Sequence, residues 1–241
     1  MKILTLIQKC CVLFLFIALV SCDGYYNNDC FSGHGPTIRE NRNATGFNSL
    51  VNSINADVFV TQGENYEVIV EARESIIGKI NTYVRNDELR IESNHCLRNT
   101  SINVFITTPD INAIANIGSG TVFGENLWQT NDLELSVTGS GDIRADVETN
   151  TIFNRISGSG DIRITGSTNN QEISISGSGR VNAFGLLTNT CSITISGSGR
   201  CEVNVDDNLD VKISGSGNVY YKGNPQITSS ISGSGRVIDA N

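Results

Sequence analysis

This 241-residue chain reads as an all-β fold, a parallel β-helix or β-solenoid whose N-terminal end is built of irregular strands. Three observations carry that reading. The tripeptide Gly-Ser-Gly occurs seven times, beginning at residues 118, 139, 158, 177, 197, 215 and 233, at intervals of 21, 19, 19, 20, 18 and 18 residues. Ahead of each triplet the sixth, fourth and second residues are apolar with few exceptions. Behind each triplet the second residue is always apolar. A period near twenty with the same alternation in every unit marks stacked coils, because one coil cannot bury its inner face without a neighbour.

The first residues stand apart from that fold. Residues 1–21 carry Lys2 and Lys9, an apolar run from Cys10 to Val20, and end in Leu19-Val20-Ser21 before Cys22. The run is short for a membrane span and reads as a secretory signal peptide. Residues 19–22 match the bacterial lipobox, which predicts cleavage before Cys22 and lipidation of its thiol. The membrane is then a partner through lipid alone, at the outer membrane, on its periplasmic face or at the cell surface. Two or more acyl chains hold a protein firmly where one does not. Residues 22–45 are polar, rich in Asn and Gly and without sustained periodicity, and read as a tether.

Residues 46–117 turn to short alternating runs and predict irregular β-coils. Ile54-x-Ala56-x-Val58-x-Val60 and Tyr66-x-Val68-x-Val70 are strands separated by the turn Gln62-Gly63-Glu64-Asn65. Residues 74–80 fit one helical turn. Thr82-x-Val84, Leu89-x-Ile91 and Ile102-x-Val104-x-Ile106 resume the period of two, and Pro109, which lacks a ladder donor, closes the section.

Residues 118–241 hold the regular repeats. Leu133, Leu135 and Val137 lead to the corner Gly139/Gly141; Ile152, Asn154 and Ile156 to Gly158/Gly160; Gln171, Ile173 and Ile175 to Gly177/Gly179. Cys191, Ile193 and Ile195 lead to Gly197/Gly199; Leu209, Val211 and Ile213 to Gly215/Gly217; Ile227, Ser229 and Ile231 to Gly233/Gly235. In-register coils about 4.8 Å apart put like residue over like, so the seven corners form a column about 30 Å long. Two glycines per coil forgo roughly 1–2 kcal/mol of chain entropy, whereas three or four buried aliphatic side chains contribute roughly 1.5–3 kcal/mol each. The triplet's recurrence predicts a turn that a Cβ would block, through positive φ or close approach of the next coil. An antiparallel sandwich would use similar turns without reason to repeat one triplet.

The formal charge is -8, and loss of two lysines and no acid with residues 1–21 makes it -10. That balance argues against nucleic acid as a partner, since phosphate binding needs a concentrated basic face. Of seven cysteines, Cys10 and Cys11 leave with the signal and Cys22 takes lipid. Export to an oxidising compartment makes Cys30 and Cys96 a candidate disulfide. His34 and His95 would permit zinc with the same cysteines, but adjacent strand residues point to opposite faces, which sets His95 and Cys96 apart. Cys191 and Cys201 fall on inward positions and read as small core residues.

The segments Arg39-Glu40-Asn41-Arg42, Gly46-Phe47-Asn48-Ser49-Leu50, Ala56-Asp57-Val58-Phe59-Val60-Thr61-Gln62-Gly63, Leu89-Arg90-Ile91, Thr108-Pro109-Asp110-Ile111 and the serial Ser-Gly-Ser-Gly units together resemble a family of Bacteroidetes surface proteins, the auto-transporter adhesin head GIN domain. The likeness runs from Arg39 to the C-terminus. It implies a right-handed β-helix on an exported lipoprotein with adhesion as its role, and it supplies no catalytic residues. The first unit departs from the pattern, with Asn116-Ile117 ahead of Gly118.

Asp142 and Asp161 follow successive corners and would stack about 5 Å apart, a separation suited to a retaining glycosidase pair. A polysaccharide-active glycosidase or lyase is therefore the alternative function. No aromatic cluster adjoins them, and arginines beside a carboxylate favour its ionised form. Calcium repeats place an acid at every turn, and here only two of seven post-triplet residues are acidic, so no metal site is assigned. No Gly-Lys-Ser/Thr follows a triplet to make a phosphate loop. No catalytic residue and no cofactor is assigned. Trp128, Phe184, Tyr220 and Tyr221 are candidate contacts for a glycan or protein. The chain thus reads as a non-catalytic envelope protein that presents a solenoid surface to protein or glycan.

Overall fold

The computed structural model describes residues 30–98 and 100–241; the expected signal peptide, the expected lipidation site Cys22 and the first part of the expected tether lie outside them. About 71% of the chain is strand, and the repeats form a parallel β-solenoid of about seven turns. Five long strands make the regular coils: β11 (Thr121–Gly139), β12 (Asp142–Gly158), β13 (Asp161–Gly177), β14 (Arg180–Gly197) and β15 (Arg200–Gly215). Each leaves a Gly-Ser-Gly corner on an outgoing arm, bends, and comes back to the next corner on a returning arm. The last full coil is split into β16 (Asn218–Lys222) and β17 (Gln226–Gly233), and β18 (Arg236–Asp239) starts another beyond the seventh corner. Neighbours are parallel and in register, with Ile143 over Val122, Ile162 over Ile143, and Ile156, Ile175 and Ile195 in one column. Those inward side chains are buried throughout.

The N-terminal part joins the same stack out of chain order. Its strands are β1 (Phe31–Ser32), β2 (Thr37–Asn41), β3 (Ser49–Asn52), β4 (Asp57–Gln62), β5 (Glu67–Arg73), β6 (Asn81–Arg85), β7 (Glu88–Glu92), β8 (Leu97–Arg98), β9 (Asn103–Thr108) and β10 (Ala113–Asn116), with one helical turn, α1 (Glu74–Ile77). β10 lies on β3 and β3 on β7, while the start of β11 lies on β4 and β4 on β9, all parallel. The β3–β4 coil is therefore sandwiched between the later β7–β9 and β10–β11 coils. Successive windings do not pile in sequence order here, because the chain builds the outer coil second and then crosses back. The crossing is pinned where Thr108 Oγ1 donates to the Phe47 carbonyl at 3.0 Å and the Asn112 N–H to that of Asn48 at 2.7 Å.

Beyond β7 and β9 the sense reverses: β5 runs antiparallel on β9, β6 antiparallel on β7, and β2 antiparallel on β5. This reversed layer covers Val68, Val70, Ile76 and Ile77, all buried. The segment assigned to a tether is consequently folded from Cys30 onward. β2 supplies the outermost strand by pairing with β5, with Ile38 packed against the core; its in-out alternation, only five residues long, is easily taken for loop. Cys30 and Cys96 are joined in a disulfide that ties β1 to β8 at this end.

Candidate binding faces of the solenoid

The Gly-Ser-Gly corner uses both devices available to glycine: from the third corner on, the first glycine combines positive φ with close approach of the next coil, and the second relies on close approach alone. At the first glycine φ is positive in six of the seven corners, +120° at Gly177 for example, a region L side chains rarely adopt. The second glycines of those corners, Gly141, Gly160, Gly179, Gly199, Gly217 and Gly235, differ from their partners on two counts. Their φ is not positive, so of the two reasons expected for the pair, the left-handed turn applies to the first glycine alone. They also lie between strands, whereas each first glycine is the last residue of one.

At these second positions, space decides. A Cβ on Gly141 would lie 2.6 Å from the Gly118 carbonyl oxygen, and one on Gly160 would run into the carbonyl of Gly141. On Gly179 it would come 2.7 Å from the Gly160 carbonyl oxygen, and on Gly199 and Gly217 it would meet the side chains of Ile175 and Ile195, each at 2.6 Å. On Gly235 it would stand 2.5 Å from the Gly217 carbonyl oxygen. The backbone of successive corners is thus nearly in contact, and the Ser178 N–H donates to the Gly158 carbonyl at 2.9 Å.

The exception is the first corner, where Gly118 keeps an ordinary φ. Two buried asparagines replace the inward aliphatic residues of later coils. Asn52 Nδ2 donates to the Ala56 carbonyl at 3.2 Å and to Asn116 Oδ1 at 3.1 Å, and Asn116 Nδ2 donates to the carbonyls of Gly120 and Asp142 at 2.7 and 3.0 Å. The departure of Asn116-Ile117 from the pattern is therefore a different way of holding the same turn.

With the corner this tight, its serines point out. Ser140, Ser159, Ser178, Ser198, Ser216 and Ser234 are all exposed. The residues just before the first glycines, Thr138, Ser157, Ser176, Ser196, Ser214 and Ser232, are exposed too and pair directly in register. Two columns of hydroxyls, uncharged along their length, flank the glycine column and form a ridge. The returning arm continues this surface through Ser174, Ser192, Thr194, Thr228 and Ser230, interspersed with Phe153 and with the charged Glu134, Arg155, Glu172, Asp210 and Lys212. Shallow grooves border Phe153, one lined by Asn131, Asp132 and Glu134, the other by Asn170, Glu172, Thr190 and Asp210.

The outgoing arm carries the two candidate carboxylates. Asp142 and Asp161 are register partners, and Asp142 Oδ1 accepts the Asp161 N–H at 3.1 Å. Arg180 grips both Asp161 oxygens, at 2.9 and 2.8 Å, and the guanidinium of Arg144 lies 3.8 Å from Asp142. Asp161, accepting from Arg180, pushes the Arg180 pKa up. The column is an ion-pair ladder, in which the carboxylate that would serve as acid is already held by a guanidinium. Among the described residues no group of three or more His, Cys, Asp or Glu could hold a metal ion. Cys30 and Cys96, bonded to each other, cannot act as thiolate ligands, and His95 packs its ring edge-on to Phe31.

The aromatic residues take different places from those expected. Trp128 is fully buried, its Nε1 donating to the Val60 carbonyl at 3.3 Å. It keeps the inward parity of Val122, the two-residue register slip between Phe123 and Leu127 sets it over Val147, and Gly124 makes room for the ring. Phe184 and Tyr220 are half-buried beneath cations, Lys222 and Arg200, at 4.8 and 4.1 Å from the ring centres. Tyr221 packs against the core. A stack missed in the sequence lies on the outgoing arm instead. Phe105, Phe59 and Phe123 are stacked with centres 5.1 and 5.2 Å apart, with Arg39 over Phe105 and Arg144 over Phe123. Their faces cover one another, so the stack shows edges rather than a platform for a sugar ring. Phe at 59, 105 and 123 shares an apolar-flanked strand position, but only the out-of-order coils bring the three together.

The second bend of four successive coils has its own repeat, Thr-Asn at 130, 149, 168 and 188. Thr168 and Thr188 turn inward and are buried, while Asn169 Nδ2 donates to Asn150 Oδ1 at 2.9 Å and Asn189 Nδ2 to Asn169 Oδ1 at 3.2 Å. The spacing was legible and would have marked this corner. Cys191 and Cys201 are buried and free, and desolvation pushes both thiols well above the ordinary range. No helix among the described residues is long and apolar enough to cross a membrane.

The family model described as "Putative auto-transporter adhesin, head GIN domain" matches residues 46–225. Three solved structures share the fold. A "putative adhesin" of Bacteroides fragilis has TM-score 0.82 and 22% identity, over 87% of this chain and 100% of that one. A "putative lipid binding protein" of Parabacteroides distasonis has TM-score 0.75 and 21% identity, over 88% and 99%. A "putative adhesin" of Parabacteroides merdae has TM-score 0.69 and 19% identity, over 88% and 100%. No curated protein matches the chain significantly.

Proposed function

The chain belongs to the auto-transporter adhesin head GIN domain family, and from that premise we propose a non-catalytic envelope protein, held to the membrane by lipid on Cys22, that adheres through the hydroxyl ridge and returning arms. The observation that carries this reading is the pair of uncharged hydroxyl columns repeated coil after coil along the Gly-Ser-Gly corners. Such a surface offers donors and acceptors at a fixed interval to an extended polar ligand, a glycan chain or a strand-like protein segment. The acidic chain has no basic stripe suited to nucleic acid. The Arg180 ion pair of Asp161 and the backbone hydrogen bond accepted by Asp142 support a structural role for both.

A glycan and protein array probed with the full chain tests this. Binding should fall when Ser159, Ser178 and Ser198 are all changed to Lys and should survive Asp142→Asn with Asp161→Asn. The opposite pattern, or cleavage of an arrayed glycan that stops in the double Asn variant, would return the function to the carboxylates. Cys22→Ser should release the chain from membranes; continued pelleting would count against the anchor.

A further inference from the structure

The two ends of the solenoid are finished differently. At the N-terminal end, antiparallel strands β5 and β6 cover the last parallel coil. At the other end β17 pairs only with β15, and β18 only with β16, among the described residues. The core is open there: Leu209 and Ile213 are 1% and 3% exposed, whereas Ile227 and Ile231, at the same positions one coil later, are 40% and 41% exposed. The bare edge of β17, Gln226–Gly233, carries no charge, in contrast to Arg39 and Glu40 on β2 and Arg85 on β6 at the capped end. Charged edges discourage strand addition, and a neutral one permits it.

We propose that this open end docks on the open end of a second copy of the chain, about a two-fold axis through Ser234, with β17 of each copy antiparallel to β18 of the other. A two-fold along the bisector of the corner exchanges its two arms and opposes their directions, so residues equidistant from Ser234 meet. Ile231 then faces Val237, and Ser230 faces Ile238. Directly opposed residues must share a face, and they do: Ile231 and Val237 both point inward, so the apolar core continues from one copy into the other. Charges fit as well, since Arg236 meets Ser232, Asp239 meets Ser229, and no like pair is opposed. The result repeats what the molecule does at its other end, where reversed strands close the stack. The interface is isologous and closes after two copies, and the charged edges at the far ends resist further growth. Because the axis passes through the corner, the two hydroxyl ridges join end to end; the docking itself does not depend on what the ridge binds.

Sedimentation velocity on the full chain in detergent should give a dimer at micromolar concentration. Ile231→Lys, at a side chain exposed in the monomer, should raise the dimer dissociation constant at least roughly tenfold with an unchanged circular dichroism spectrum. Tyr83→Lys at the capped end should leave it unchanged. In an Ile231→Lys variant that misfolds, cross-linking decides instead. Ser230→Cys together with Ile238→Cys, outward on opposite arms of one corner, should oxidise to a covalent dimer that neither single variant forms. A monomer at every concentration, or a dimer indifferent to Ile231→Lys and cross-linked equally by the single variants, would overturn the proposal.

Discussion

The coils after Gly118 and those before it answer the same demands with different chemistry. In the regular part each coil repeats one solution, with a positive-φ glycine, a second glycine too close to its neighbour for a side chain, and aliphatic columns between. In the N-terminal part the corners at Asn52 and Asn116 are held by side-chain amides, the coils stack out of order, and a disulfide and a reversed layer finish the end. Repetition makes every corner depend on the corner beside it. Irregularity gives each contact its own specific partner. A defect should therefore spread along the regular column and stay local in the cap.

The sharpest break of that contrast is Gly177→Ala. The residue sits at φ +120°, and its Cβ would come 2.5 Å from the Gly158 carbonyl oxygen. Backbone strain and overpacking together should cost about 4 kcal/mol, read as a lowered denaturation midpoint. The paired control is Gly46→Asn, at φ +75° with no atom within 4 Å of the added carbon, which should cost about 1 kcal/mol or less. Equal losses would mean that the stacked column is not special.

Next in size is removal of the disulfide by Cys30→Ser with Cys96→Ser. A bond across 66 residues restrains the unfolded chain by about 4 kcal/mol in the loop-entropy account, with roughly 2–5 kcal/mol typical of native bridges. Hydrogen exchange should speed up in β1, β2 and β8 while β13 and β14 keep their protection. Uniform loss across the chain would break the proposed independence of the cap.

Asn154→Leu reverses the sign. Asn154 is fully buried between Leu135 and Ile173 in its column, and neither its amide nitrogen nor its oxygen has a hydrogen-bond partner. An unpaired buried amide costs roughly 1–3 kcal/mol, so the variant should be more stable by about 1 kcal/mol in urea titration.

The smallest effect is titration of the cap. Hydrogen bonds from Asn103 and then Arg39 hold the Glu71 carboxyl below its ordinary value. A lowered folded-state pKa means that the stabilisation is present above the unfolded value and disappears as pH falls through the folded one. The melting temperature should thus decline below the ordinary glutamate range, near pH ~4.3, and the decline should be shallower in Glu71→Gln. An identical pH profile in both would remove the role assigned to Glu71.

Much of this was legible in the residues. The spacing of Gly-Ser-Gly located all seven corners, and the alternation ahead of it named the inward columns from Leu133 to Ile231. The triplet did not tell its two glycines apart. That Gly197 both bends the chain and makes room for the coil beneath, while Gly199 only makes room, is visible in the backbone angles and in how closely the neighbouring corner approaches. The candidate surface was half legible. The corner serines were in view, but their exposure follows only from a corner too tight for any side chain to fold back. Period-two counting from Val122 already sets Trp128 inward, but among Glu125, Asn126 and Gln129 it read as a candidate contact, because only the fold shows the core it enters. Strand β2 was lost for a related reason: five residues of alternation acquire meaning only when Ile38 finds a core.

Composition and period by themselves settled that this chain is a stack of parallel coils with glycine corners, since those features depend on neighbours that repeat the same residues. Which coil lies beside which at the N-terminal end, where the stack reverses, and which edges of β17 and β18 go unpaired among the described residues were decided only in three dimensions. Contacts between segments as distant as Phe59, Phe105 and Phe123 follow from the order of assembly, and hydrophobic alternation, being the same in every strand, does not encode that order.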